Sequence, residues 1–80
     1  MSAKGMETKV APGTIRVRVN GTDRTIPAGE TVRGLLESLD LVPATIVVEH
    51  NLEILDRATY DHILLREGDR LELVHFVGGG

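Results

Sequence analysis

The stretch TIRVRVNG, residues Thr14–Gly21, decides how the chain is read. Ile15, Val17 and Val19 alternate with Arg16, Arg18 and Asn20. Period-two alternation of β-branched with charged residues marks a strand with one buried face. Asn20-Gly21 then supplies the two residues that tolerate positive φ, as a tight hairpin needs. The return strand is expected from Asp23 to Ile26, closed by Pro27. Beyond it the period changes. Val32, Leu35, Leu36 and Leu39 fall at i, i+3, i+4 and i+7, one apolar stripe of a helix capped by the Thr31 hydroxyl. Gly34 within that helix points to close packing on the sheet or to a tolerated imperfection costing about 1 kcal/mol.

Pro43 prevents the helix from continuing. Thr45 to His50 reads as a β-branched strand, and Asn51-Leu52-Glu53 turns it toward a short partner near Ile54 and Leu55. Asp56 to Leu65 has no clear period and is expected as a loop or single helical turn around Tyr60. Glu67-Gly68-Asp69 is a turn signal, and Arg70 to Val77 forms the last strand. The order β-β-α-β-β-β predicts an α+β fold of the β-grasp, ubiquitin-like kind: a mixed sheet of about five strands with one main helix on one face. The domain is expected over residues 14–77, with a disordered leader at 1–13 and a flexible glycine tail at 78–80.

Composition narrows the function. The chain has 80 residues, 41% of them apolar, enough for one small core but near the lower limit for a self-sufficient domain. It contains no cysteine, which excludes disulfides, thiolate catalysis and sulfur-ligated metals. The net charge of −3, with both signs mixed along the chain, gives no reason to expect nucleic acid. No signal-peptide h-region and no membrane-length apolar run occur, so a cytoplasmic location is expected.

The last strand has two unlike faces. Leu71, Leu73, His75 and Val77 share the parity of the core, whereas Arg70, Glu72, Val74 and Phe76 share the other. That second face begins charged and turns apolar near the chain end. With one helix covering one face, Val74 and Phe76 are left for a docking partner, unless the strand bends or the 56–65 loop covers them. Gly78, Gly79 and Gly80 follow directly. Without Cβ atoms such a tail can thread a narrow channel, and a terminal carboxylate is ionised at neutral pH.

VRVNG, AGETVRGLLESL, VVEHN and EGDRLELVHFVGGG together resemble the ThiS family of thiamine-biosynthesis sulfur carriers, over roughly Thr14 to Gly80. The resemblance implies a protein substrate rather than an enzyme, with no bound cofactor. A ubiquitin-activating-like adenylyltransferase would use ATP to adenylate the Gly80 carboxylate. A persulfide donor would supply the sulfur that converts it to a thiocarboxylate, and thiazole synthase would take that sulfur. Gly79 would give the reacting group clearance, Gly78 would lengthen the flexible arm by one residue, and Val74 and Phe76 fall where relatives present apolar residues to partners. A molybdopterin-synthase small subunit and a carrier for cysteine, siderophore or tRNA thiolation share the fold and tail. A ubiquitin-like docking module or protein modifier is the alternative from another class.

Other polar residues carry weaker signals. His50, His62 and His75 match no metal-ligand spacing, although His50 and His75 could approach across neighbouring strands. Asp56, Asp61, Glu67 and Asp69 read as turn formers and surface charges. Arg16 and Arg18 are candidates to pair with Glu72 across strands or to contact an acidic partner.

Overall fold

The computed structural model describes residues 13–76. Strand β1, Thr14–Val19, runs into a two-residue turn in which Asn20 and Gly21 both take positive φ, 49° and 82°. β2, Thr22–Pro27, returns in register, with Val19 opposite Thr22 and Thr14 opposite Pro27. Helix α1 is Val32–Ser38. The Thr31 hydroxyl accepts from the Gly34 amide at 3.0 Å, and the Val32 and Arg33 amides donate to the Ile63 and Tyr60 carbonyls. The first-turn donors that every helix leaves unpaired are thus met by a cap and by a later loop. Leu39 closes the helix as its C-cap, and Asp40 turns the chain at φ 62°.

Pro43–Thr45 forms a 3-10 turn, so β3 starts one residue later than expected, at Ile46, and runs to His50. Asn51 and Leu52, φ 50° and 73°, lead into β4, Glu53–Ile54. A second 3-10 turn, Arg57–Thr59, sets the Tyr60 ring in the core, where its hydroxyl donates to the Ile46 carbonyl at 2.7 Å. β5 is Arg70–His75. The sheet order is β2-β1-β5-β3-β4, with β1 and β5 parallel and the other neighbours antiparallel.

One face of this sheet meets the helix. Val17, Val19, Ile26, Ile46, Val48 and Leu71 project toward Val32, Leu35 and Leu36, and all are buried. Burial of each aliphatic side chain contributes roughly 1.5–3 kcal/mol. Gly34 takes no part in that packing. A Cβ there would meet the Glu30 carboxylate rather than the sheet, so the glycine lies on the flank of the helix.

β1 is too short to accompany β5 to its end. Its last rung is Val19 opposite Leu71. Beyond it the Asn20 side chain takes over: Oδ1 accepts from the Leu73 amide at 2.7 Å, and Nδ2 donates to the Leu73 carbonyl at 3.3 Å. A side-chain amide thus replaces one rung of backbone ladder. Asn20→Gly keeps the turn conformation and removes both bonds. We expect a loss of about 1–2 kcal/mol in denaturant titrations, with amide exchange at Leu73 accelerated about tenfold while Val17 and Leu71 lose less protection.

Candidate functional site

The face of the sheet away from α1 has no layer upon it among the described residues. β5 sends Arg70, Glu72 and Val74 onto it, and Phe76 continues the same parity. The Phe76 amide donates to the Thr45 carbonyl at 2.7 Å, so the backbone is still held to the β3 side there. Val74 is 58% and Phe76 56% exposed. Val47 stands opposite Val74, and Ile54, 71% exposed, lies on the neighbouring edge strand of the same face. The Arg57 guanidinium sits 5.8 Å from the centre of the Phe76 ring, within cation–π range. The 56–65 loop therefore touches this aromatic residue without covering it. Gly78, Gly79 and Gly80 lie outside the described residues, as does the leader except for Gly13.

Val47, Ile54 and Arg57 were not singled out from sequence. Val47 carries a parity signal, since it alternates with buried Ile46 and Val48. Arg57 carries none, because its approach to Phe76 depends on the loop path. Arg18 pairs with Asp23 at 3.3 Å and not with Glu72. The register explains this: Arg18 faces Arg70, which leaves Glu72 beyond the end of β1.

The histidines do not converge. His50 faces Leu71 and His75 faces Ile46, at opposite ends of the β3–β5 pairing. His50 instead bonds Asp69, Nε2 to Oδ2 at 2.9 Å, and Asp69 is buried rather than a surface charge. Asp69 also accepts from Asn51 Nδ2 at 3.1 Å and from the Arg66 amide at 2.9 Å. Asn51 in turn accepts from the Arg70 amide at 2.9 Å. This network fixes the entry of β5. Burial works to raise the Asp69 pKa, but the bonds from His50, Arg66 and Asn51, with the His50 charge, together hold it below the usual carboxylate value.

A mixed sheet with two parallel central strands, one helix on one face and an open second face defines a ubiquitin-like β-grasp domain. The crystal structure of the thiamine biosynthesis protein ThiS from Geobacter metallireducens has this architecture. It matches with a TM-score of 0.71 at 33% identity, over 82% of this chain and 100% of that one. The model of the ThiS family matches residues 17–80, and the chain belongs to that family. It is 42% identical over 50 residues to the sulfur carrier protein ThiS of Bacillus subtilis, 62% of this chain and 76% of that one. A thiazole synthase of Magnetococcus marinus is 39% identical over 66 residues, 82% of this chain but 20% of the relative. This chain thus spans about a fifth of that relative's length.

The Asp69 network has a pH signature. A carboxyl with a depressed folded-state pKa adds stability above its unfolded value, about pH 4, and loses it as pH falls through the folded value. Asp69→Asn is expected to lower stability by about 2 kcal/mol at neutral pH. In urea titrations across the acid range, the gap between wild type and variant should shrink steadily below about pH 4.

Proposed function

We propose that this chain is a sulfur carrier of thiamine biosynthesis, and that the Gly80 carboxylate carries the sulfur. The single observation that carries the reading is the ThiS-family match, which extends through Gly80. It is supported by a β-grasp body that exposes Val74 in its final strand and Phe76 just after it, close to the glycines. The Bacillus subtilis relative bears the name of a sulfur carrier, and two longer relatives bear the name thiazole synthase, which supports thiazole formation as the destination.

In this reading the chain is acted upon. A ubiquitin-activating-like enzyme binds the open face and guides the tail to ATP. A carboxylate oxygen of Gly80 attacks the α-phosphorus, pyrophosphate leaves, and the carboxylate becomes an acyl adenylate. The terminal sulfur of a persulfide then attacks the acyl carbon and AMP departs. Cleavage of the resulting S–S bond by a thiol leaves the thiocarboxylate and a disulfide. Activation replaces a poor leaving group with a good one, the usual logic of covalent catalysis. With no cysteine in the chain, sulfur has no side-chain thiol to occupy. Gly78 and Gly79 keep the reacting carbon clear of side chains.

Two measurements test this. Incubation with the cognate activating enzyme, ATP and a persulfide donor should raise the intact mass by the difference between sulfur and oxygen, located at Gly80. Deletion of Gly79 and Gly80 should abolish the change. An unchanged wild-type mass, with an enzyme active on another carrier, overturns the reading. Phe76→Ala should weaken binding to that enzyme about tenfold or more. Its melting temperature should barely move, because the ring is largely exposed.

A further inference from the structure

The open face is banded by charge in a way that folding alone disfavours. Arg18 stands directly opposite Arg70 across the parallel β1–β5 pair. Next along β5, Glu72 stands directly opposite Glu49 across the antiparallel β5–β3 pair. Beyond that, Val74 stands opposite Val47. Successive bands are about 7 Å apart along the strand. Like charges placed directly opposite are destabilising, and exchanging Arg70 with Glu72 would convert both into attractive pairs at no change in composition.

The structure only partly relieves the bands. Arg18 leans on Asp23, and Glu67 accepts from the Arg16 amide, within a cleft of about 260 Å³ that Arg70 also lines. Among the described residues, Arg70, Glu72 and Glu49 enter no ion pair. Arg16, Arg18 and Arg70 gather at this end of the face, with Asp23 and Glu67 beside them, in a chain of net charge −3.

We propose that these bands are a recognition register for the activating enzyme. That enzyme's docking surface would present an acidic group to Arg18 and Arg70, a lysine or arginine to Glu49 and Glu72, and an apolar side chain to Val47, Val74 and Phe76. The order fixes how far the domain slides along the partner, and so how far the tail reaches. The apolar band supplies contact area; the charged bands choose the partner and speed its approach. A second copy of this chain is a poorer occupant. A two-fold axis that sets Arg70 against the partner copy's glutamate band leaves both apolar bands uncovered. This inference rests on the docking reading of the open face.

The test is the double variant Arg70→Glu/Glu72→Arg, with Glu72→Gln as the milder change and Phe76→Ala as the apolar control. Binding to the activating enzyme is followed by stopped-flow and calorimetry at several salt concentrations, and folding by thermal melts. The double variant should melt roughly 4 °C higher yet bind about tenfold or more weakly. Its association rate should fall, and its salt dependence should flatten or reverse. Glu72→Gln should show the same directions with smaller shifts. Phe76→Ala should bind weakly while keeping the wild-type salt slope. If the exchanged variant binds as tightly as wild type, the register is overturned and the apolar docking surface stands. If it melts lower than wild type, the bands are not frustrated and the proposal also fails. Self-association of the wild type through this face assigns the bands to a second copy instead and overturns the assignment. A wild type that binds no activating enzyme overturns the docking reading itself, and this inference with it.

Discussion

Everything in this domain hangs on keeping β5 paired along both edges. It is the middle strand, and its odd and even residues turn their backbone groups to opposite neighbours. Asp69 and Leu71 accept from β1 and the Asn20 amide, while Arg70 accepts from Asn51 and Phe76 donates to Thr45. Buried backbone groups left without partners are costly. Yet β1 stops at Val19 and β3 stops at His50, so each flank of β5 lacks a rung. Both gaps are closed by the asparagine of an adjoining turn. Asn20 serves Leu73 on one side, and Asn51 serves Arg70 on the other. The same residue type does two jobs at each place: it accepts positive φ and it lends a backbone-like amide. Val74 and Phe76 project outward by the strand's alternation, beyond the Asn20 clamp and held there from the β3 side.

Much of this was open to sequence reasoning and some was not. The alternation Ile15-Val17-Val19, the stripe Val32-Leu35-Leu36 and the Asn-Gly turn each carry a local period or a local dihedral demand, and each appears where expected. Asp69 closes a turn as expected but is not a surface charge, because a turn aspartate looks the same in sequence whether its carboxylate meets water or His50. Its side-chain partners are 18 and 19 residues away, brought near only by the β3–β5 pairing. Asn20 clamps a residue 53 positions distant, which no period can announce. Glu72 was given the wrong neighbour for the same reason. Face was legible from parity, but register was not. For the site, the outward parity of Val74 and Phe76 was legible; the reach of Arg57 required the loop.

The helix is seven residues long, and the core it covers is correspondingly small. Stability is therefore concentrated on one side of a single sheet, with Tyr60 and the 56–65 loop completing what the short helix leaves open. The other side is not needed to bury the core. Its residues are free of the requirement to be apolar, and they are free to be electrostatically imperfect. A marginally stable domain can carry such imperfections only while they are small beside the packing terms. Exposed like-charge pairs, screened by solvent and salt, meet that condition.

A strand with a period of two makes this division unusually clean. In β5, Leu71 and Leu73 answer to the core, while Arg70, Glu72 and Val74 answer to whatever meets the open face. Adjacent residues thus meet different physical demands although they share one backbone. In a helix the two duties would blur, because neighbouring positions spread around a cylinder rather than onto two opposed planes. The arrangement also couples position without coupling chemistry. The Asn20 clamp and the Asp69 network set where β5 lies, but neither hydrogen-bonds a side chain of the outward set. In the proposed carrier, recognition is then tuned residue by residue on one face while the placement of β5 is maintained from the other.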